Sequence, residues 1–135
     1  MDEKLLKLAE KLQERADFLE LKLKDPIVEV NRHNIDGIVE NNEVIFLFFT
    51  ADWCGPCISY LSTYRDLAIE LAKPKVIFAK VDVDKSADIA DRYLIDHIPS
   101  IAVIVSSKHV DTLIGSMAKE KLKEKLSSYI ELIFS

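Results

Sequence analysis

The feature that most constrains this chain is a junction. Val44 to Phe49 is apolar at every position, and a short link carries it into Trp53-Cys54-Gly55-Pro56-Cys57. A half-exposed strand would alternate, so an unbroken run of this length reads as a strand covered on both faces of a sheet. Pro56 suits the first turn of a helix, where its missing N–H costs nothing. A helix is expected from Pro56 to about Lys73, with Leu61, Tyr64, Ala68 and Leu71 on one face. A doubly covered strand that feeds a helix demands a layered α/β fold.

The remaining elements agree. Strands are expected at Ile27 to Asn31, Lys75 to Asp82, Ser100 to Val105 and Val110 to Ile114. The last two are joined by a turn at Ser106-Ser107-Lys108-His109. Short helical pieces are read at Ile35 to Glu40 and at Ser86 to Tyr93, with Ser86 as N-cap. A final helix from about Ser116 buries Leu122, Leu126, Ile130 and Ile133. The order predicts a central mixed sheet of four to five strands with helices on both faces.

Residues 1–24 stand apart. Leu5, Leu8, Leu12, Ala16, Leu19 and Leu23 recur at three- and four-residue steps, the stripe of an amphipathic helix. Glu3–Lys7 and Glu20–Lys24 add i, i+4 pairs, and Asp25-Pro26 ends the helix. The expected organisation is an N-terminal helix over 1–24 and one domain over 25–135. Leu6, Phe18 and Leu21 widen the apolar surface beyond one contact, which favours a homodimer formed partly through this segment.

With 18 basic and 23 acidic residues the net charge is -5, and both signs are mixed along the chain. Nucleic-acid binding needs clustered Lys or Arg, and Glu120 and Glu124 interrupt the basic stretch Lys119 to Lys125. No apolar stretch approaches the roughly 20 residues needed to span a bilayer. Residues 1–24 lack the unbroken apolar centre of a secretory signal. The expectation is a cytoplasmic protein that binds neither nucleic acid nor membrane.

Two cysteines in a cytosolic context point to catalysis or metal rather than to a structural disulfide framework. A helix start at Cys54 presents unpaired backbone N–H groups and the positive end of the helix dipole, which favour a thiolate. Cys57, one turn on, is close enough to close a disulfide with it. An exposed thiolate attacks a client disulfide, and a second thiol in reach resolves the mixed disulfide. Zinc and iron–sulfur sites usually take four protein ligands, and two thiols fall short unless two chains pool theirs with His97. An inert buried pair is the remaining reading, and the Gly-Pro turn argues against it.

Beyond the motif, Val44–Leu71, Val76–Tyr93, Ile98-Pro99-Ser100 and Gly115 fall in the order and spacing of the thioredoxin family, which the chain resembles from about Asp25 to Ser135. The resemblance implies a thioredoxin fold and a protein disulfide reductase with Cys54 as nucleophile and Cys57 as resolving thiol. Trp53, Gly55 and Pro56 shape the turn and, with Ile98 and Pro99, form the implied substrate-binding surface. Pro99 is expected in cis, leaving the Ile98 backbone to pair with an extended client. No metal or organic cofactor is implied. The implied partners are a thioredoxin reductase and client proteins with disulfides.

The departures are specific. Where the family usually carries a buried aspartate on the central strand, this chain has Phe48, which leaves Lys80 without its usual partner. Ser62 replaces a helix-kinking proline, and Ser107 stands nearest an absent hairpin glycine. His97 replaces a small residue before Ile98. Lys80 and His97 are therefore candidate tuning residues: His97, when protonated, would lower the Cys54 pKa. Loss of the acid also admits an oxidant or isomerase of protein disulfides, and the N-terminal helix admits a partner-binding module.

Overall fold

The structure is a computed structural model that describes residues 2–23 and 25–134; nothing is described of the side chains of 17–23. Helix α1 spans Glu3–Leu23, β1 Ile27–Glu29, α2 Ile35–Asn41, β2 Val44–Thr50 and α3 Gly55–Glu70. There follow β3 Val76–Asp82, α4 Ala87–Arg92, β4 Ser100–Val105, β5 Lys108–Ile114 and α5 Lys119–Phe134.

The five strands form one mixed sheet in the order β1-β3-β2-β4-β5, parallel across β1, β3 and β2 and antiparallel from β2 through β5. The apolar run is the middle strand, and its side chains divide by parity, as successive residues of a strand must. Val44, Phe46 and Phe48 join α3 and α5 through Tyr60, Tyr64, Leu67, Leu122 and Leu126. Ile45, Leu47 and Phe49 join α2 and α4 through Ile35, Val39, Ile89 and Tyr93. One strand thus anchors both layers.

Tyr64 ties α3 to the sheet. Its buried hydroxyl donates to the Phe46 carbonyl at 2.9 Å and accepts the Ala79 N–H at 3.0 Å. The polar tip is therefore satisfied at a point where a bare phenol would be costly.

Several expected boundaries move. The hairpin turn is Ser106-Ser107 alone, both residues at positive φ (49° and 67°), and β5 begins at Lys108. Two residues in the left-handed region match the twist of the flanking strands, which is how a two-residue turn works without glycine. Ser86 stands at the N-cap of α4, but its side chain makes no capping hydrogen bond. Helix α5 starts at Lys119 rather than Ser116, and Ile133 is only partly buried.

In α1, Leu5, Leu6, Leu8 and Leu12 are 57, 47, 54 and 60% exposed. Over Leu5 to Leu12 the stripe is thus exposed in the single chain. Leu19, Leu23, Phe18 and Leu21 have side chains outside the described residues. Among the described residues no helix is long and apolar enough to cross a membrane.

Candidate functional site

Topology gathers the site at one end of the sheet. Strand β2 runs towards that end and delivers Ala51 to Cys54 just past it. Antiparallel β4 starts there, with Ser100 in register with Phe49, so Pro99 arrives beside the cysteine loop. Parallel β3 ends there too and delivers Val83 and Asp84. Gly115 follows β5, and its N–H donates to the Pro99 carbonyl at 2.8 Å. Its φ of +79° lies in the left-handed region that glycine enters without strain.

Cys54 is the N-cap of α3, and Pro56 occupies the first turn. The two cysteines form a disulfide, with their Cα atoms 5.3 Å apart. The Cys57 N–H donates to Cys54 Sγ at 3.2 Å. An orphan donor of the helix start is thus aimed at the atom that would carry the thiolate charge. Cys54 is 5% exposed and Cys57 is fully buried. Both cysteines are thus buried in the disulfide form, Cys54 slightly less than Cys57, and the exposure expected of an attacking thiol is not seen at Cys54 in this form.

The Ile98–Pro99 peptide is cis, as the resemblance implies. Ser100 Oγ closes the bend by donating to the His97 carbonyl at 2.7 Å. Among the described residues neither backbone group of Ile98 takes part in a backbone hydrogen bond. An extended segment has there the free N–H and C=O that strand addition uses. Trp53, 70% exposed, projects beside the pair and lines a groove of about 220 Å³ with Val83, Ala90, Ile95, Asp96, His97 and Ile98.

The tuning candidates separate. His97 lies on the groove rim, with its Nδ1 2.7 Å from Asp96 Oδ1. The charge nearest its ring is thus a carboxylate on its own loop, whose pKa the His97 contact lowers. Lys80 stands in register with Phe48 on one side and Glu29 on the other. It is half-buried at a cleft of about 310 Å³ shared with Glu29, Asp52, Asp82 and Lys85. Phe48 is wholly buried, its ring 5.0 Å from that of Tyr64 and 5.7 Å from that of Tyr60. No carboxylate occupies the place where the family usually has one. Among the described residues no group of His, Cys, Asp and Glu is placed to hold a metal ion.

Two residues escape sequence reasoning. Asp84 accepts the Trp53 indole N–H from 31 residues away, a pairing that only the β3 terminus reveals. Tyr60 sits one helical turn after Cys57, and counting from the cysteine would have found it. Burial pushes its phenol upward in pKa.

Comparison with known proteins bears on this geometry. The family model described as Thioredoxin matches residues 26–128. Thioredoxin of Chlorobaculum thiosulfatiphilum is 32% identical over 93 residues, 69% of this chain and 85% of that protein. Thioredoxin H-type 2 of Nicotiana tabacum is 34% identical over 100 residues, 74% of this chain and 81% of that one. Among solved structures, a mutant thioredoxin from Halobacterium salinarum NRC-1 is similar with a TM-score of 0.69 at 26% identity. That match covers 78% of this chain and 92% of that one.

Proposed function

The chain belongs to the thioredoxin family of thiol–disulfide oxidoreductases, and from that premise we propose that it reduces protein disulfides in the cytoplasm, recharged by a thioredoxin reductase. The observation that carries the reading is the Cys54–Cys57 disulfide at the start of α3, with the Cys57 N–H on Cys54 Sγ, beside a cis peptide at Ile98–Pro99.

In this reading Cys54 attacks a client disulfide and forms a mixed disulfide. Cys57 then attacks Cys54 Sγ, and the client leaves with both of its sulfurs reduced. Trp53, Gly55, Pro56, Ile98 and Pro99 hold the client strand, with His97 on the rim of the groove and Lys80 at the separate cleft beside Asp52. Insulin-disulfide reduction with a thioredoxin reductase supplied tests this directly. Turnover that requires both the reductase and Cys54 supports the reading, and none with either would end it.

The absence of a carboxylate at Phe48 favours a second direction, net oxidation or isomerisation of client disulfides. The equilibrium constant against glutathione separates the two, since a reductase must be poised below its clients.

The match over residues 26–128 supports a working domain over 25–135 with residues 1–24 appended. The four exposed leucines of α1 support pairing of two chains through that segment. Sedimentation of the full chain against one starting at Pro26 tests it. A dimer that becomes a monomer on truncation fits the reading, and a full-length monomer at high micromolar concentration contradicts it.

A further inference from the structure

Leu94 is unfavourable in its place on two separate counts. Its φ is +57°, in the left-handed region that a bulky side chain enters only against steric resistance. It is also 85% exposed, so its apolar side chain packs on almost nothing within the chain. The other non-glycine residues at positive φ, Lys75, Ser106 and Ser107, are polar and suit water. Leu94 directly follows the C-cap of α4, Tyr93. Its N–H donates to the Asp91 carbonyl at 3.1 Å, and the Ile95 N–H donates to the Ala90 carbonyl at 2.9 Å. These are the paired bonds of a helix end that most often takes glycine at this position. Strain that glycine would have removed points to a use for the side chain.

The same bonds place Leu94 at the client groove. Ala90 and Ile95, which this turn joins, both line the groove of about 220 Å³ beside Trp53. Asp96, His97 and Ile98 continue that lining up to the cis peptide. Leu94 is bonded directly to Ile95, where this wall begins, and stands outside the lining in solvent. The groove offers Trp53, Val83, Ala90, Ile95 and Ile98, while Asp96 and His97 meet each other at 2.7 Å. A side chain entering there meets mostly apolar surface. At the far end of the stretch the Ile98 backbone, unpaired among the described residues, suits an extended chain.

Resting on the reading of the chain as a Cys54–Cys57 reductase, we propose that Leu94 is a specificity residue that extends this groove. It selects clients with a large apolar side chain close to the disulfide cysteine. An extended strand advances roughly 3.3 Å per residue, so a side chain within about three residues of that cysteine is in range of a groove this size. Leu94 is held in water before binding, and the apolar area it shares with a client leaves water only on binding.

Two disulfide peptides, identical except for leucine or serine at the positions flanking their cysteines, test this. The readout is the ratio of kcat/KM for the leucine peptide to that for the serine peptide. Wild type should favour the leucine peptide about tenfold, and Leu94→Gly and Leu94→Asn should each cut that ratio about fivefold. Leu94→Met should keep it. Asparagine tolerates the left-handed backbone and still fills the position, so its agreement with glycine assigns the loss to the apolar group rather than to a looser turn. Both variants should melt no lower than wild type, because each suits the turn better than leucine. Equal rates for the two peptides, or a preference that survives both substitutions, overturns the proposal. Lower melting in both variants also overturns it, since the leucine would then be serving its own fold. If wild type reduces neither peptide, the reductase reading itself falls and takes this inference with it.

Discussion

The indole Nε1 of Trp53 donates to Asp84 Oδ2 at 2.9 Å, fixing the large exposed side chain of the cysteine loop to the end of the neighbouring strand. A large apolar side chain free to swing would have to be ordered by each client, at a cost in binding. Asp84→Ala is therefore expected to raise KM for a protein disulfide about threefold with kcat nearly unchanged. Stability should fall by no more than about 1 kcal/mol, because the bond is exposed. Steady-state kinetics with insulin check this, and a fall in kcat at constant KM would contradict it.

Phe48 gives the second prediction. Phe48→Asp removes a ring packed on Tyr60 and Tyr64 and buries a carboxyl in its place. The fold should lose at least about 3 kcal/mol. Burial raises the new carboxyl above its unfolded value of about 3.9. A raised acid destabilises increasingly as pH climbs above the unfolded value, and the loss levels off above the native one. Denaturant midpoints across pH should therefore fall further behind wild type from acid to neutral. The pH profile of disulfide reduction should gain a new titration, and unchanged profiles would make Phe48 a packing residue only.

How legible was all this in the sequence? The apolar run of β2 and the Cys54–Cys57 spacing were plain because each obeys a local rule, parity in a strand and the start of a helix. Pro99 was legible only through the family resemblance, since a cis bond leaves no local pattern. The Trp53–Asp84 contact was hidden because two strand ends create it. The turn at Ser106-Ser107 was read too long because serine carries no strong signal for positive φ, where glycine would have. For α1, periodicity marked a stripe but could not say what covers it.

The third prediction concerns tyrosine ionisation. Burial, reinforced by the hydrogen bond to Asp111 and its charge, pushes Tyr129 from 10.0 up to about 12. Burial likewise raises Tyr60, Tyr64 and Tyr93. A phenol raised in the native state stabilises the fold below pH 10, its unfolded value, and that contribution is lost as pH rises from 10 through 12. Native phenolate absorbance should therefore lag behind that of the unfolded chain, and Asp111→Asn should bring one tyrosine back towards 10. A native titration centred on pH 10 for all 4 tyrosines would contradict this.

The most direct test of the central claim is covalent trapping. Cys57→Ser, incubated with a disulfide-bonded client and resolved by mass without reductant, should accumulate a one-to-one mixed disulfide through the sulfur of Cys54, because nothing remains to resolve it. Cys54→Ser should trap no client there and should show no turnover. If Cys57→Ser accumulates no adduct while Cys54→Ser continues to reduce the client, Cys54 is not the nucleophile and the account fails.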